Sequence, residues 1–245
     1  MLPPAATGFR MLKLVRQRQA VALAIRSSPT YVVCHTNYIS FILKCNMRDP
    51  FVLVLSPDNP CNTTITDRDT GKTLYTVWTE HLKDSYTRVK DAHGQEIAYW
   101  KWRNIRSDLL TMKSGTGTDT TAPAADWLRP SMIPFNHTVY FSDQQKRKYR
   151  WNGVAAGEIL ELCTQEDKKH PIARFKKAYR YNSIKQTPSV MVYDPATLTL
   201  TGRAQEIMDM VVISFCLLEK DRRMDEVSAK NQAEASAIPV VPLAL

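Results

Sequence analysis

From Phe51 onward, short runs of apolar and β-branched residues alternate with turn residues. FVLVL (51–55), TTITD (63–67), TLYTVWT (73–79), SYTRVK (85–90) and QEIAYWKWR (95–103) come first. DLLTM (108–112), TVYFSD (138–143), RKYRW (147–151), EILELC (158–163), PIARFK (171–176), PSVMVY (188–193) and ATLTLT (196–201) follow. Runs of this length and composition, spaced by turn signals, predict about twelve antiparallel strands of a sandwich or barrel. DTGK (69–72) and DAHG (91–94) place Gly late in a short loop, as a hairpin with Gly at positive φ requires.

The pattern changes once, at RAQEIMDMVVISFCLLEKDRR (203–223). Its middle is apolar on every side except for Ser214. MVVISFCLL alone also fits a buried strand, so the flanks decide between the two. There is no Gly or Pro from Arg203 to Arg223, Glu206 stands in the first turn, and Lys220, Arg222 and Arg223 close the segment. That placement of charge suits a helix dipole and predicts a helix. A helix apolar all round must be buried, and this one is shorter than the ~20 apolar residues a membrane span requires. The expected fold is therefore mainly β: a closed antiparallel barrel of about twelve strands enclosing one hydrophobic helix. Its plug would be Met210, Val211, Val212, Ile213, Phe215, Leu217 and Leu218.

Composition alters this picture mainly at the ends. The formal net charge is +9, yet residues 1–48 hold seven Lys/Arg and no acid, whereas residues 49–223 hold 25 Lys/Arg against 21 Asp/Glu. The first 48 residues read as a basic, poorly ordered extension; the alternative is a mitochondrial presequence over the first thirty or so residues. The expected domain spans 49–223, with a disordered loop insertion at 113–126 (KSGTGTDTTAPAAD) and a disordered tail over 224–245. Five cysteines without CxxC spacing fit reduced thiols in an intracellular, cytoplasmic protein.

Candidate chemistry is sparse. Thr70-Gly71-Lys72-Thr73 lacks the earlier Gly of a phosphate-binding loop. Glu80 and His81 are neighbours on a strand and point to opposite faces. The five histidines show no metal spacing, and no GxSxG is present. No enzymatic activity, cofactor or metal is expected.

DNPCNTTITD with GKTLYTVWT (58–79), IAYWKW (97–102), FSDQQKRKYRW (141–151), LELC (160–163), IARF (172–175) and LTLTGRAQEIMDMVVISFCLLEKDRR (198–223) stand in an order that resembles a fungal family of uncharacterised domains. That family is grouped with the tubby C-terminal-like fold, beside LURP-one-related proteins and phospholipid scramblases. The resemblance covers about residues 51–223 and implies a twelve-stranded barrel around a hydrophobic helix. Tubby proteins bind phosphoinositides through basic side chains, but their binding residues have no one-to-one match here.

One surface feature points to a partner. Residues 144–180 hold ten Lys/Arg against four acids. Lys146, Arg147, Lys148, Arg150, Lys168, Lys169, Arg174, Lys176 and Lys177 form a candidate site for an anionic phospholipid headgroup or a protein partner. The bland alternative is a basic sheet edge that resists aggregation. Single-stranded nucleic acid, which would also use Tyr149, Trp151, Tyr179 and Tyr181, ranks below both. The competing functional class is a small-ligand carrier or enzyme that uses the barrel mouth.

Overall fold

The computed structural model describes residues 50–114, 117–183 and 190–236. Seven strands run as a meander: β1 (Phe51–Ser56), β2 (Thr63–Asp67), β3 (Thr73–His81), β4 (Ser85–Lys90), β5 (Glu96–Lys101), β6 (Leu109–Met112) and β7 (Thr120–Pro123). A short helix α1 (Ala124–Trp127) leads into β8 (Arg129–Pro130), β9 (Val139–Ser142), β10 (Lys148–Asn152), β11 (Glu161–Thr164) and β12 (Ala173–Lys176). β13 (Tyr179–Ser183) and β14 (Val190–Asp194) form a separate hairpin, and β15 (Ala196–Leu200) returns to pair with both β1 and β12. The product is one antiparallel sheet of thirteen strands, in which β15 joins the two meanders.

The sequence alternation is what builds it. Ile65, Tyr75, Val77, Val89, Trp100, Tyr149, Trp151, Leu198 and Leu200 are buried, and their strand neighbours are more exposed. These inward side chains share one core with helix α3 (Met208–Ser236). Ten consecutive helical residues, Val211 to Lys220, are buried. Trp151 Nε1 donates to Ser214 Oγ at 3.0 Å, and the Phe175 and Phe215 rings lie 4.6 Å apart. Of the residues expected to form a plug, Val211, Val212, Ile213, Phe215, Leu217 and Leu218 are buried, and Met210 is half-buried where the helix begins.

Four expectations are corrected. Hydrogen bonds do not close the sheet: its ladder ends at β7 on one side and β8 on the other. Pro123 and Pro130 stand in those edge strands, and proline has no N–H to offer a ladder. The two edges are consecutive in the chain and linked by α1, whose Ala124, together with Leu128, is buried in the core. The stretch 113–126, read as a loop, contains β7 and most of α1. Backbone groups make the β6–β7 ladder, so small Thr and Ala side chains suffice. The tail read as disordered from 224 continues α3 to Ser236, as its Ala, Glu, Lys and Gln content favours. Of PSVMVY, Val190–Tyr193 belong to β14 of the separate hairpin and to no strand of the large sheet; 188 and 189 lie outside the described residues. The N-terminal extension and residues 237–245 lie outside the described residues.

Candidate distal docking site

Strand direction sorts every loop to one of two ends. At the proximal end α2 (Arg203–Glu206) precedes the point where α3 enters the sheet; at the distal end α3 leaves it. Proximal contacts include Tyr75 Oη donating to Asp209 at 2.5 Å and Arg147 bonding Glu206 at 3.1 Å. Distal contacts include the ion pairs Lys220–Asp108 and Arg223–Asp58.

The basic face of 144–180 divides in two. Arg147 pairs with Asp143 at 2.5 Å, Arg174 with Glu161 at 2.6 Å, Lys176 with Asp194 at 2.5 Å and Lys177 with Glu226 at 2.8 Å. Among the described residues Lys146, Lys148, Lys168, Lys169 and Arg150 have no carboxylate partner; Arg150 donates to the Lys168 carbonyl at 3.3 Å and bonds the Cys163 thiol. These five residues gather on β10 and on the proximal loops beside it.

Asp143 anchors that corner. Burial alone would raise its pKa, but the Arg147 side chain and backbone N–H and the Tyr149 hydroxyl outweigh it, so the carboxyl is held below its usual range. A depressed folded-state pKa contributes stability above the unfolded value of about 4, and that stability is lost as pH falls through the folded value. Asp143→Asn is expected to be less stable than the parent at neutral pH. It should also lose less on acidification, as read from urea midpoints between neutral and acid pH.

The distal end was not visible in the sequence. Every large hydrophobic side chain that is exposed among the described residues lies there or on the hairpin that springs from it. Ile105, Met132 and Phe135 are 98%, 99% and 97% exposed, and Leu82, Ile133, Ile159, Met224 and Val227 join them. Tyr179, Tyr181, Met191 and Tyr193 stand on β13 and β14. Phe135 also holds φ 61°, a strained conformation for a bulky residue. The proximal turns carry Arg68, Asp69, Lys72, Asp91, His93, Gln144, Gln145, Lys168 and Lys169 instead. The sheet and its helix, among the described residues, are thus apolar at the distal end and polar at the proximal one. Lys83, Arg103, Arg106 and Arg180 sit among the distal apolar side chains without a carboxylate partner among the described residues.

Beneath this crown is a buried ring of charge. Glu219 accepts from Arg222 Nε and Arg223 Nε, each at 2.7 Å. Burial would lower the Lys220 pKa, but Asp221 and Asp108 outweigh it and the ammonium is held above its usual value. A cavity of about 750 Å³ opens beside α3, with Leu128, Val139, Leu217 and Leu218 in its walls and Arg103, Arg106 and Asp225 among its polar lining.

The remaining candidates are structural. Glu80 accepts from Trp78 Nε1 and Arg88, while His81 Nδ1 meets Ser85 Oγ at 2.8 Å, so the two do not act together. Gly71, at φ 68°, donates its N–H to the Asp67 carbonyl in a tight turn. Burial pushes the Cys61 thiol up to about 11 and raises Cys216 well above its usual value, the opposite of an activated nucleophile. Among the described residues no group of three or more His, Cys, Asp or Glu is placed to hold a metal. None of the described helices is long and apolar enough to cross a membrane.

Residues 58–224 match a protein family described as a family of unknown function, DUF6593. No curated protein and no solved structure matches.

Proposed function

Because the chain belongs to the DUF6593 family, whose function is not known, its role must come from its own chemistry, and we propose that it is a non-enzymatic domain that docks its distal end on an anionic phospholipid surface. The observation that carries this reading is the segregation of exposed apolar side chains to that one end. Side chains that project singly from loop tips, nearly free of protein neighbours, suit a fluid interface better than a shaped protein groove. The flanking Lys83, Arg103, Arg106 and Arg180 would each add about 1 kcal/mol near an anionic leaflet.

Such leaflets face the cytoplasm, and the free, buried Cys61, Cys163 and Cys216 support a reducing compartment. Kinship with tubby-like, LURP-one-related and scramblase proteins, and a fungal source, belong to this same reading. Its support is the helix held in the core of a large antiparallel sheet. The five proximal cations Lys146, Lys148, Arg150, Lys168 and Lys169 favour a second reading, in which the basic face meets the same lipid.

Cosedimentation with phosphatidylserine-containing vesicles separates the two. Wild type is expected to pellet with these vesicles and far less with phosphatidylcholine alone. Met132→Asp with Phe135→Asp should weaken binding about a hundredfold or more, since the two lost apolar insertions are together worth about 3–6 kcal/mol. Lys146→Glu with Lys148→Glu should change it little. The reverse pattern selects the proximal face, and a wild-type protein left in the supernatant at low salt overturns both readings.

A further inference from the structure

The cavity at the distal end has a charge pattern that a plain anion does not match. Its lining carries three cations, Arg103, Arg106 and Lys220, against three acids, Asp108, Asp221 and Asp225. Lys220 is already shared between Asp108 and Asp221. That leaves two guanidiniums and the Asp225 carboxylate unpaired among the described residues, although all three line the same space. Opposite charges that border one cavity without meeting are suited to a ligand that brings a partner for each. Leu128, Val139, Leu217 and Leu218 give the same cavity an apolar wall, with the two α3 leucines nearly fully buried.

We propose that this cavity binds one molecule of a zwitterionic amphiphile, a phosphoester with a cationic amine and an acyl chain. The phosphate is held by Arg103 and Arg106, whose planar forks match phosphate oxygens. The ammonium or trimethylammonium lies against Asp225, and the chain runs over Leu217 and Leu218. At about 750 Å³ the cavity is within the range of sites that enclose a small ligand. A phospholipid without the amine, such as a phosphatidic acid, leaves Asp225 facing the phosphate charge, so the cavity discriminates against purely anionic lipids. The anionic leaflet and the cavity ligand are then separate: charge and the apolar crown bring the domain to the surface, and the cavity selects one lipid there.

This inference rests on the membrane reading for the source of the ligand, and its test avoids the membrane. The full chain is titrated with dihexanoylphosphatidylcholine below its micelle concentration, followed by calorimetry, with dihexanoylphosphatidic acid and glycerophosphocholine as comparisons. The choline lipid is expected to saturate at one molecule per chain, and the two comparison compounds to bind at least about tenfold more weakly. Arg103→Gln with Arg106→Gln should weaken the choline lipid about tenfold. Asp225→Asn should weaken it comparably and remove the preference over the phosphatidic acid. The three substituted side chains, Arg103, Arg106 and Asp225, are exposed or half-buried, so a thermal midpoint equal to wild type confirms that the variants fold. The proposal is overturned if no saturation is seen, if the phosphatidic acid binds as well as the choline lipid, or if Asp225→Asn binds like wild type. Vesicle binding without monomer binding sinks the cavity alone; monomer binding without vesicle binding sinks the membrane reading alone.

Discussion

Glu219→Ala is expected to destabilise the domain by about 3–5 kcal/mol, the range for breaking a buried ion pair from one side. The carboxylate is fully buried and holds two arginines: Arg222 through Nε and Nη2, at 2.7 and 2.6 Å, and Arg223 through Nε at 2.7 Å. Arg223 retains Asp58. Arg222, whose side chain is only 3% exposed, keeps the Glu158 carbonyl at 2.8 Å and a carboxylate no nearer than Glu226 at 4.0 Å. A guanidinium left buried without a counter-charge accounts for most of the loss. Glu219→Gln preserves one acceptor and should cost less. Urea midpoints of the two variants test the order, and an alanine variant within 1 kcal/mol of wild type would refute the view that Glu219 organises the ring. Against a typical net stability of about 5–15 kcal/mol, a loss of this size puts the folded state at risk.

A similar loss is expected in the core for a different reason. Phe215→Ala removes a fully buried ring packed on Phe175, and deletions of this kind cost about 3–5 kcal/mol through lost transfer energy and the cavity left behind. Leu217, Val212 and Trp151 are fixed in the same buried core, which limits how far it can close on the gap. Phe135→Ala is the matched control. It removes the same side chain from a site 97% exposed and should stay within about 0.5 kcal/mol. Chemical denaturation of the pair measures burial at two ends of its range; equal losses would contradict the placement of both rings.

How much of this was legible depends on how local each signal is. The strand text of TTITD and ATLTL shows its inward face directly, because alternate side chains take opposite sides of a strand. The helix was legible because nine residues apolar on every side except for Ser214 admit few homes. β7 was hidden because TTAP has turn-like composition and is held by ladder bonds to Leu109–Met112, which local composition does not encode. The seam was hidden for a related reason: closure depends on whether β7 and β8 can donate to each other, and both contain proline. Lys220, Arg222 and Arg223 looked like solvated charge at a helix end, yet their partners are Asp108, Glu158 and Asp58. The basic cluster was visible as composition, whereas its division into paired and unpaired members required Asp143, Glu161, Asp194 and Glu226 to be placed. The distal crown required one more step. Leu82, Ile105, Met132 and Ile159 come from four separate loops, and only the up-and-down order of the strands brings those loops to one end.

The arrangement also constrains how the molecule is made. Every described strand precedes α3 in the chain, and the pairing of Phe51 with Leu200 joins the first described strand to the last. During synthesis the wall is therefore complete in sequence before its filling emerges. Until Val211–Leu218 arrives, the nascent strands present an unfilled greasy concavity and two unsealed margins, the kind of species that sticks to its neighbours. Chaperone demand should consequently peak late in translation, just before the helix clears the ribosome.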